Sequence, residues 1–159
     1  EKDKYETTEV KVLTDKEGDI FYEFLLKPRE IAISKDTDLA KVFEIKEIYF
    51  DLNKSNIRPD AAVELAKIVE VMKQYPKMKI DIRSHTDSRA TDSYNLALSD
   101  RRAKSTLEWI VKQGIDRKRL KAKGYGETQL VNGCSNGVPC TEEQHQANRR
   151  SEFIVVSMD

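Results

Sequence analysis

The hydrophobic positions of this chain change their spacing near residue 42, and the change predicts two regions of different structure. Apolar and β-branched residues cluster over 10–13 and 20–26, on either side of an Asp-Lys-Glu-Gly turn signal at 15–18. This pattern predicts a β-hairpin. Because an isolated pair of strands is only marginally stable, we expect residues 1–42 to be either the last hairpin of an upstream β domain or an arm packed on the domain after it, with a polar linker at 34–38.

Residues 43–159 alternate between strand-like and helical spacing, which is typical of an α/β domain. Pro59 begins a run with apolar residues at helical spacing, Tyr75 and Pro76 end it, and Gly114 stops a second helix. We therefore predict the element order β-α-β-α-β-loop-β, an α/β (α+β) two-layer sandwich with helices on one face of a mixed sheet and a short β-hairpin segment before it. The predicted strands lie over 44–50, 77–84, 120–123 and 151–158, the helices lie over about 59–74 and 94–113, and a long loop precedes the last strand.

The composition excludes several classes of protein. A length of 159 residues and a mass of 18.3 kDa suit one compact domain with a short appended segment. Lys and Arg together number 28, as do Asp and Glu, and this balance disfavours both a nucleic-acid binder with a basic face and a polybasic membrane-surface protein. No apolar run approaches the ~18 residues of a membrane-spanning helix. The chain begins at Glu1 without an initiator Met, so we expect a piece of a longer or processed protein.

Cys134 and Cys140 lie six residues apart in the run NGCSNGVPC. This setting favours a small disulfide ring, which would indicate an oxidising compartment such as a periplasm. Two free thiols are the second interpretation. A zinc half-site is the third, and it is disfavoured because His145 is the only nearby additional ligand, whereas structural zinc takes four.

The segment Ser84-His85-Thr86-Asp87 ends a predicted strand, at a position where open α/β sheets form ligand sites. In an enzyme, His85 and Asp87 would be a base and its orienting partner, or half of a metal site. The chain contains only two histidines and no nucleophile elbow, P-loop or His-Glu-x-x-His motif. We therefore favour a structural, hydrogen-bonding His85 over a catalytic one.

Tyr94, Leu98 and Arg102 are four residues apart and share one face of the second predicted helix. If the loop that carries Asp87 leads directly into that helix, Asp87 and Arg102 flank one pocket. A carboxylate and a guanidinium in such positions suit a zwitterion, whose ammonium and carboxylate groups they bind. The alternative is a surface ion pair between Asp87 and Arg102, which would contribute little to stability.

Five segments carry a family resemblance: IYFDLNKSNIRPDA (48–61), SHTDS (84–88), YNLALSDRRA (94–103), GIDRKRLKAKGYGE (114–127) and NRRSEFIV (148–155). In order and spacing they resemble the OmpA C-terminal-like peptidoglycan-binding domain, which also occurs in peptidoglycan-associated lipoproteins and flagellar stator subunits. The resemblance covers about residues 43–158. It implies a compact βαβαβ-type sandwich that binds the stem peptide of peptidoglycan noncovalently and has no catalytic activity, cofactor or metal requirement.

The resemblance also assigns residues. It implies that Asp87 and Arg102 clamp the free amino and carboxylate groups of meso-diaminopimelate. The supporting contacts that it implies fall on Asn53 and Arg149, and less directly on Phe50, Thr86, Asn95 and Leu98.

The chain departs from the family pattern in three places. Ser84 and Ala90 stand where a Gly is common, which reshapes the rim of the implied pocket. The loop with Cys134 and Cys140 replaces a shorter connection. The change in this loop affects the outer contacts to peptide or glycan rather than the central clamp.

The expected function is therefore to bind diaminopimelate-containing peptidoglycan and to anchor an outer-membrane-associated protein or complex, such as a secretion or motor assembly, to the cell wall from the periplasm. An OmpA-like scaffold that has lost ligand binding and acts in protein–protein interaction is the alternative. A wall-modifying hydrolase is disfavoured because the chain offers His85 and Asp87 without a nucleophile or a full set of metal ligands.

Overall fold

The computed structural model describes residues 5–14, 20–28, 32–52 and 54–159, in two compact units, Glu1–Ala32 and Ile33–Asp159. In the first unit, β1 (Tyr5–Thr14) pairs antiparallel with β2 (Ile20–Pro28), as the hydrophobic pattern predicted. The predicted turn at 15–18 lies outside the described residues.

In its described residues, the second unit has a mixed sheet of three strands, four α-helices and one short 3-10 helix (Arg117–Arg119). The strand order is β4-β3-β5, with β3 parallel to β4 and antiparallel to β5. This arrangement confirms the predicted α+β class. In chain order the elements are α1 (Leu39–Val42), α2 (Pro59–Gln74), β3 (Lys79–His85), α3 (Asp92–Lys112), β4 (Leu120–Gly126), α4 (Glu142–Asn148) and β5 (Ser151–Ser157).

Local sequence signals explain where the helices begin and end. Pro59 occupies the first turn of α2, where its missing N–H has no helical partner to lose. Thr91 caps α3 by accepting a hydrogen bond from the backbone N–H of Tyr94. Thr141 and Gln144 form a reciprocal capping box at the start of α4. Gly114, with a φ of 101°, adopts the left-handed conformation that turns the chain away after α3.

The core lies between the sheet and the helices α2 and α3. Alternate residues of β3 and β5 face it, and one stripe of each helix covers them. The apolar side chains at its centre are each less than 2% exposed, and they include Leu65, Ile68, Met72, Ile80, Ile82, Ile110, Phe153 and Val155.

The predicted strand over 44–50 is wrong. Residues 45–50 are irregular, and the backbone N–H of Lys46 donates to Oε2 of Glu64 on α2, at 2.9 Å, instead of to a neighbouring strand. The alternation of apolar residues that suggested a strand arises because Ile48 is buried in the core whereas Tyr49 is 47% exposed. The segment forms a wall beside the sheet.

Two further boundaries differ from the sequence prediction. The second unit begins at Ile33 rather than at residue 43, because Asp36 and Thr37 hydrogen-bond to the backbone of Val155 and the Asp38 carboxylate accepts from the Phe153 N–H. The predicted long loop contains α4, which the hydrophobic pattern missed because the helix has only seven, mostly polar residues.

Gly124 provides a test of the packing between α3 and β4. A Cβ atom at this position would overlap the backbone nitrogen of Asp100 and the hydroxyl of Ser99. We expect Gly124→Ala to lower the free energy of unfolding by about 3 kcal/mol, the upper end for overpacking, because backbone gives way less readily than a side chain. Urea denaturation measures this loss. Gly133→Ala, where no atom lies within 4 Å of the added carbon, is the matched control and should change stability by less than about 0.5 kcal/mol.

Candidate functional site

A cleft of about 590 Å³ opens where β3 ends. Its lining comes from the irregular segment 47–52, from the end of β3 and the loop after it, from α3, and from Arg149 and Arg150 before β5. Asn53, one of the predicted site residues, lies outside the described residues. The cleft brings together the other seven, namely Phe50, Thr86, Asp87, Asn95, Leu98, Arg102 and Arg149.

Asp87 lies two residues beyond the end of β3 and is 8% exposed. Its Oδ2 accepts from Nη1 of Arg149 at 2.6 Å and from Nε and Nη2 of Arg89 at 3.1 and 2.8 Å. Oδ1 accepts only from the backbone N–H of Arg89, at 3.0 Å, among the hydrogen bonds of the described residues. One carboxylate oxygen is therefore saturated, and the other retains capacity for a further donor.

Glu142, in the first turn of α4, forms salt bridges with the same two arginines. Its carboxylate accepts from Arg89 Nη1 at 2.7 Å and from Arg149 Nη2 at 2.5 Å. Two carboxylates and two guanidiniums thus alternate in one network, and the network fixes the orientation of Asp87. Sequence reasoning missed Arg89 and Glu142, because the 53 residues between them leave no local spacing signal.

The network determines the ionisation of Asp87. Burial by itself would raise the pKa of the Asp87 carboxyl group. The hydrogen bonds from Arg89 and Arg149 outweigh burial and lower the pKa from 3.8 to about 2. Asp87 is therefore a permanent anion at neutral pH.

Arg102, on α3, lines the same cleft as Asp87. Its guanidinium carbon is 4.8 Å from the centre of the Phe50 ring, and its Nε donates to the backbone carbonyl of Lys54 at 3.1 Å. Burial lowers the pKa of Arg102 from its usual value. Within the described part of the chain, no carboxylate is within ion-pair distance of Arg102, so the alternative of a direct Asp87–Arg102 pair is wrong.

Three further side chains, those of Asn95, Leu98 and Thr86, line the cleft. Asn95 donates from Nδ2 to the backbone carbonyl of Asp87 at 3.0 Å and to Oε1 of Glu127 at 3.1 Å, which ties the start of α3 to the Asp87 loop. Leu98 contributes an apolar surface that is 6% exposed. The hydroxyl of Thr86 is buried, with almost no solvent-accessible surface, and has no hydrogen-bond partner among the described residues.

His85 supports the structure of the cleft rather than reacting in it. Its ring stacks on Tyr125 with the centroids 5.4 Å apart, and its Nε2 contacts the carboxylate of Glu152. Burial, followed by the charge of Arg150, lowers the pKa of His85 despite Glu152. This geometry agrees with the structural interpretation. Within the described residues, no group of three His, Cys, Asp or Glu side chains is arranged to hold a metal ion.

Cys134 and Cys140 form a disulfide, as favoured from the sequence. The ring is joined to the cleft because the hydroxyl of Ser88, next to Asp87, donates to the backbone carbonyl of Cys134 at 2.5 Å. Cys140 lies two residues before Glu142. The disulfide loop therefore connects the Asp87 loop with the start of α4.

Several comparisons with known proteins agree with this geometry. The OmpA family matches residues 49–148. A peptidoglycan-associated lipoprotein of Brucella melitensis is 39% identical over 87 residues, which are 55% of this chain and 52% of that protein. The crystal structure of the peptidoglycan-associated lipoprotein from Burkholderia pseudomallei superposes with a TM-score of 0.59 at 25% identity, over 69% of this chain and 90% of that one.

A second solved structure, the cell wall anchor of the T6SS from Pseudomonas aeruginosa, has a TM-score of 0.58 at 25% identity, over 68% of this chain and 74% of that one. None of these names describes an enzyme, in agreement with the predicted non-catalytic domain. This chain spans between 13% and 59% of the length of eight curated relatives. No helix of the described residues has the length and apolar character needed to span a membrane.

The lowered pKa of Asp87 predicts an acid-dependent contribution to stability. A carboxyl group whose folded pKa lies below its unfolded value stabilises the fold above the unfolded pKa, and this contribution is lost as the pH falls towards the folded value. We expect Asp87→Asn to cost about 2 kcal/mol at neutral pH, and the gap from wild type to close between about pH 4 and about pH 2. Urea denaturation across this range measures the gap. Asp51→Asn, which removes the more exposed carboxylate partner of Arg58, is the control and should change stability by less than about 0.5 kcal/mol across this range.

The disulfide predicts a second loss of stability. Replacing both Cys134 and Cys140 by Ser should lower the free energy of unfolding by about 2 kcal/mol, the value for a ring of this size. Urea denaturation of the oxidised wild type and the double variant measures this. Equal stability of the two proteins would show that the hydrogen bonds of the loop hold it without the covalent link.

Proposed function

Because this chain belongs to the OmpA family, we propose that its second unit binds the peptidoglycan stem peptide through the amino and carboxylate groups of diaminopimelate. The observation that carries the proposal is the state of the two cleft charges. Asp87 has a free acceptor on Oδ1, and Arg102 has no carboxylate partner among the described residues. The cleft thus presents an anion and an unpaired cation to one ligand.

The Asp87 side receives the ammonium group. Oδ2 is occupied by Arg89 and Arg149, and their positive charges keep the carboxylate ionised at any physiological pH. An ammonium group donates up to three hydrogen bonds, and Oδ1 of Asp87 is an acceptor in this cleft with remaining capacity. Thr86 is retained as a supporting residue by the family resemblance alone.

The Arg102 side receives the carboxylate group. Stacking on Phe50 and the Nε bond to Lys54 hold the guanidinium plane in place before a ligand arrives. Such preorganisation lowers the entropy cost of binding, and a guanidinium fork binds a carboxylate in bidentate fashion. Asn53 follows Leu52 in the sequence, and the family resemblance alone supports its proposed role as a supporting contact.

This arrangement explains how the site would select its ligand. Lysine has the side-chain ammonium of diaminopimelate but not the carboxylate beside it. A lysine-type peptide would leave Arg102 desolvated and unpaired, which is penalised in a partly buried site.

The wider role that we propose is wall anchoring in the periplasm of a diderm cell envelope, within an outer-membrane-associated protein or complex. The T6SS cell wall anchor and the peptidoglycan-associated lipoproteins support this role by likeness, and the disulfide suits an oxidising compartment. Affinity for one stem peptide needs only to be modest, because many wall sites and many copies of the parent protein act together.

A binding measurement tests the proposal. Calorimetry should detect binding of a tripeptide that ends in diaminopimelate. The affinity for the corresponding lysine tripeptide should be at least tenfold lower. Arg102→Ala and Asp87→Asn should each weaken binding by at least tenfold, since each leaves a ligand charge unpaired.

Arg117→Ala is the matched control, because this arginine pairs with Glu108 outside the cleft. It should bind like wild type. Equal binding of both peptides, or an unchanged affinity in Arg102→Ala, would contradict the proposed site. No binding of either peptide would favour the scaffold alternative.

A further inference from the structure

Glu47 occupies the wall of the cleft that faces Arg149, and neither the sequence pattern nor the family resemblance assigns it a role. Its side chain is half-buried and lines both the main cleft and a smaller adjoining cavity of about 170 Å³. The partition between the two cavities includes Glu47, Arg149 and Arg150. Glu47 thus shares the cleft with Arg102, the residue proposed to bind a ligand carboxylate, and the charge of Arg102 acts on it.

The contacts of Glu47 connect it to the rest of the site. Its Oε2 accepts from Nε2 of Gln146, which also lies 3.4 Å from the hydroxyl of Tyr49. Oε1 of Gln146 accepts from Nη2 of Arg149, whose Nη1 donates to Asp87 at 2.6 Å. A continuous chain of hydrogen bonds therefore runs from Glu47 to Asp87 across the side of the cleft.

The charged groups around Glu47 are few. Arg149, at the end of α4, and Arg102, on α3, are the cations whose fields reach it, and Tyr49 hydrogen-bonds to it from its own segment. Of the neighbouring cations, Lys46 acts on Glu64 of α2, and Arg150 lies 3.7 Å from Glu152.

Burial dominates over these favourable charges. It raises the pKa of Glu47 from 4.5 to about 7, although Arg149, Tyr49 and Arg102 each act to lower it. Glu47 is therefore half-ionised near neutral pH. When ionised, it competes with any ligand carboxylate for the positive field of Arg102 and Arg149, and when neutral it leaves that field to the ligand.

We propose that Glu47 is a specificity-determining residue: it is neutral in the ligand complex, so that binding of a ligand carboxylate at Arg102 is coupled to uptake of one proton. This inference rests on the proposed function. The ligand carboxylate adds a second negative charge near Glu47, which disfavours the ionised side chain further in the complex. Affinity is then independent of pH where free Glu47 is already protonated, and falls as the pH rises through neutrality.

The same coupling distinguishes two forms of the ligand. A diaminopimelate whose side-chain carboxylate is converted to a carboxamide brings no negative charge to Arg102. Binding of the carboxamide therefore leaves the protonation of Glu47 unchanged. The site should therefore lose its preference for the free carboxylate over the carboxamide as the pH rises.

Calorimetry with the full chain tests this inference. The probes are an N-acetylated tripeptide ending in diaminopimelate and its side-chain carboxamide, each titrated at about pH 6 and about pH 8. For wild type we expect affinity for the free carboxylate to fall about tenfold over this interval, the change in the neutral fraction of a group with a pKa of about 7. The carboxamide should show no comparable fall.

Glu47→Gln keeps the size of the side chain and removes its titration. It should bind the free carboxylate with nearly the same affinity at both pH values. Glu70→Gln removes an equivalent carboxylate from the exposed face of α2, and should retain the tenfold fall of wild type. Calorimetry in buffers of different ionisation enthalpy should find proton uptake in wild type and none in Glu47→Gln, and thermal unfolding verifies that the variants are folded.

The outcomes separate the two proposals. Binding by wild type with the same pH dependence in Glu47→Gln would overturn the role of Glu47 and leave the proposed function intact. Absence of binding by wild type at both pH values would overturn the proposed function and this inference with it. A carboxyl ¹³C titration of Glu47 provides a direct second measurement, in which an equal or lower pKa in the complex would overturn the inference.

Discussion

The buried carboxylate of Asp87 is the constraint on which the structure of the cleft depends. A buried charge is tolerated only when hydrogen-bond donors and opposite charges compensate for its lost hydration. Here the compensation comes from Arg89 in the same loop and Arg149 before β5, and Glu142 of α4 in turn holds both arginines. The ion pairs that stabilise Asp87 thus join three separate parts of the chain: the loop after β3, the start of α4 and the residues before β5.

The two sides of the cleft differ in how they are held. The Asp87 side is a closed network in which each charge has a partner of opposite sign. On the Arg102 side, an aromatic ring and a backbone carbonyl hold the guanidinium without neutralising it. The Asp87 side is therefore held by protein charges alone, whereas the Arg102 side carries the unpaired charge that the proposed ligand would neutralise.

The sequence predicted most of the fold and seven residues that line the cleft, but it missed Arg89 and Glu142. In β3, the buried Ile80 and Ile82 alternate with more exposed residues because one face of the strand is buried. This period of two residues predicted the strand. The segment around Ile48 shows the same alternation, but it is irregular and hydrogen-bonds to α2 rather than to a strand. Periodicity alone cannot distinguish such a segment from a β-strand. Arg89 and Glu142 escaped prediction for a different reason, because an ion pair across 53 residues depends on the tertiary fold. Asp87 and Arg102 were found because one loop and one helix bring them together.

The attachment of residues 36–38 to the sheet has a mechanical consequence. Asp36 and Thr37 form backbone hydrogen bonds with Val155, and the Asp38 side chain accepts from the Phe153 N–H. β5, which carries these contacts, lies directly after Arg149 of the cleft in the chain. Tension between a ligand held in the cleft and the chain that precedes Ile33 would therefore pass through this edge of the sheet. The resistance of a tether to force would then depend on a few hydrogen bonds at β5 as well as on the affinity of the cleft.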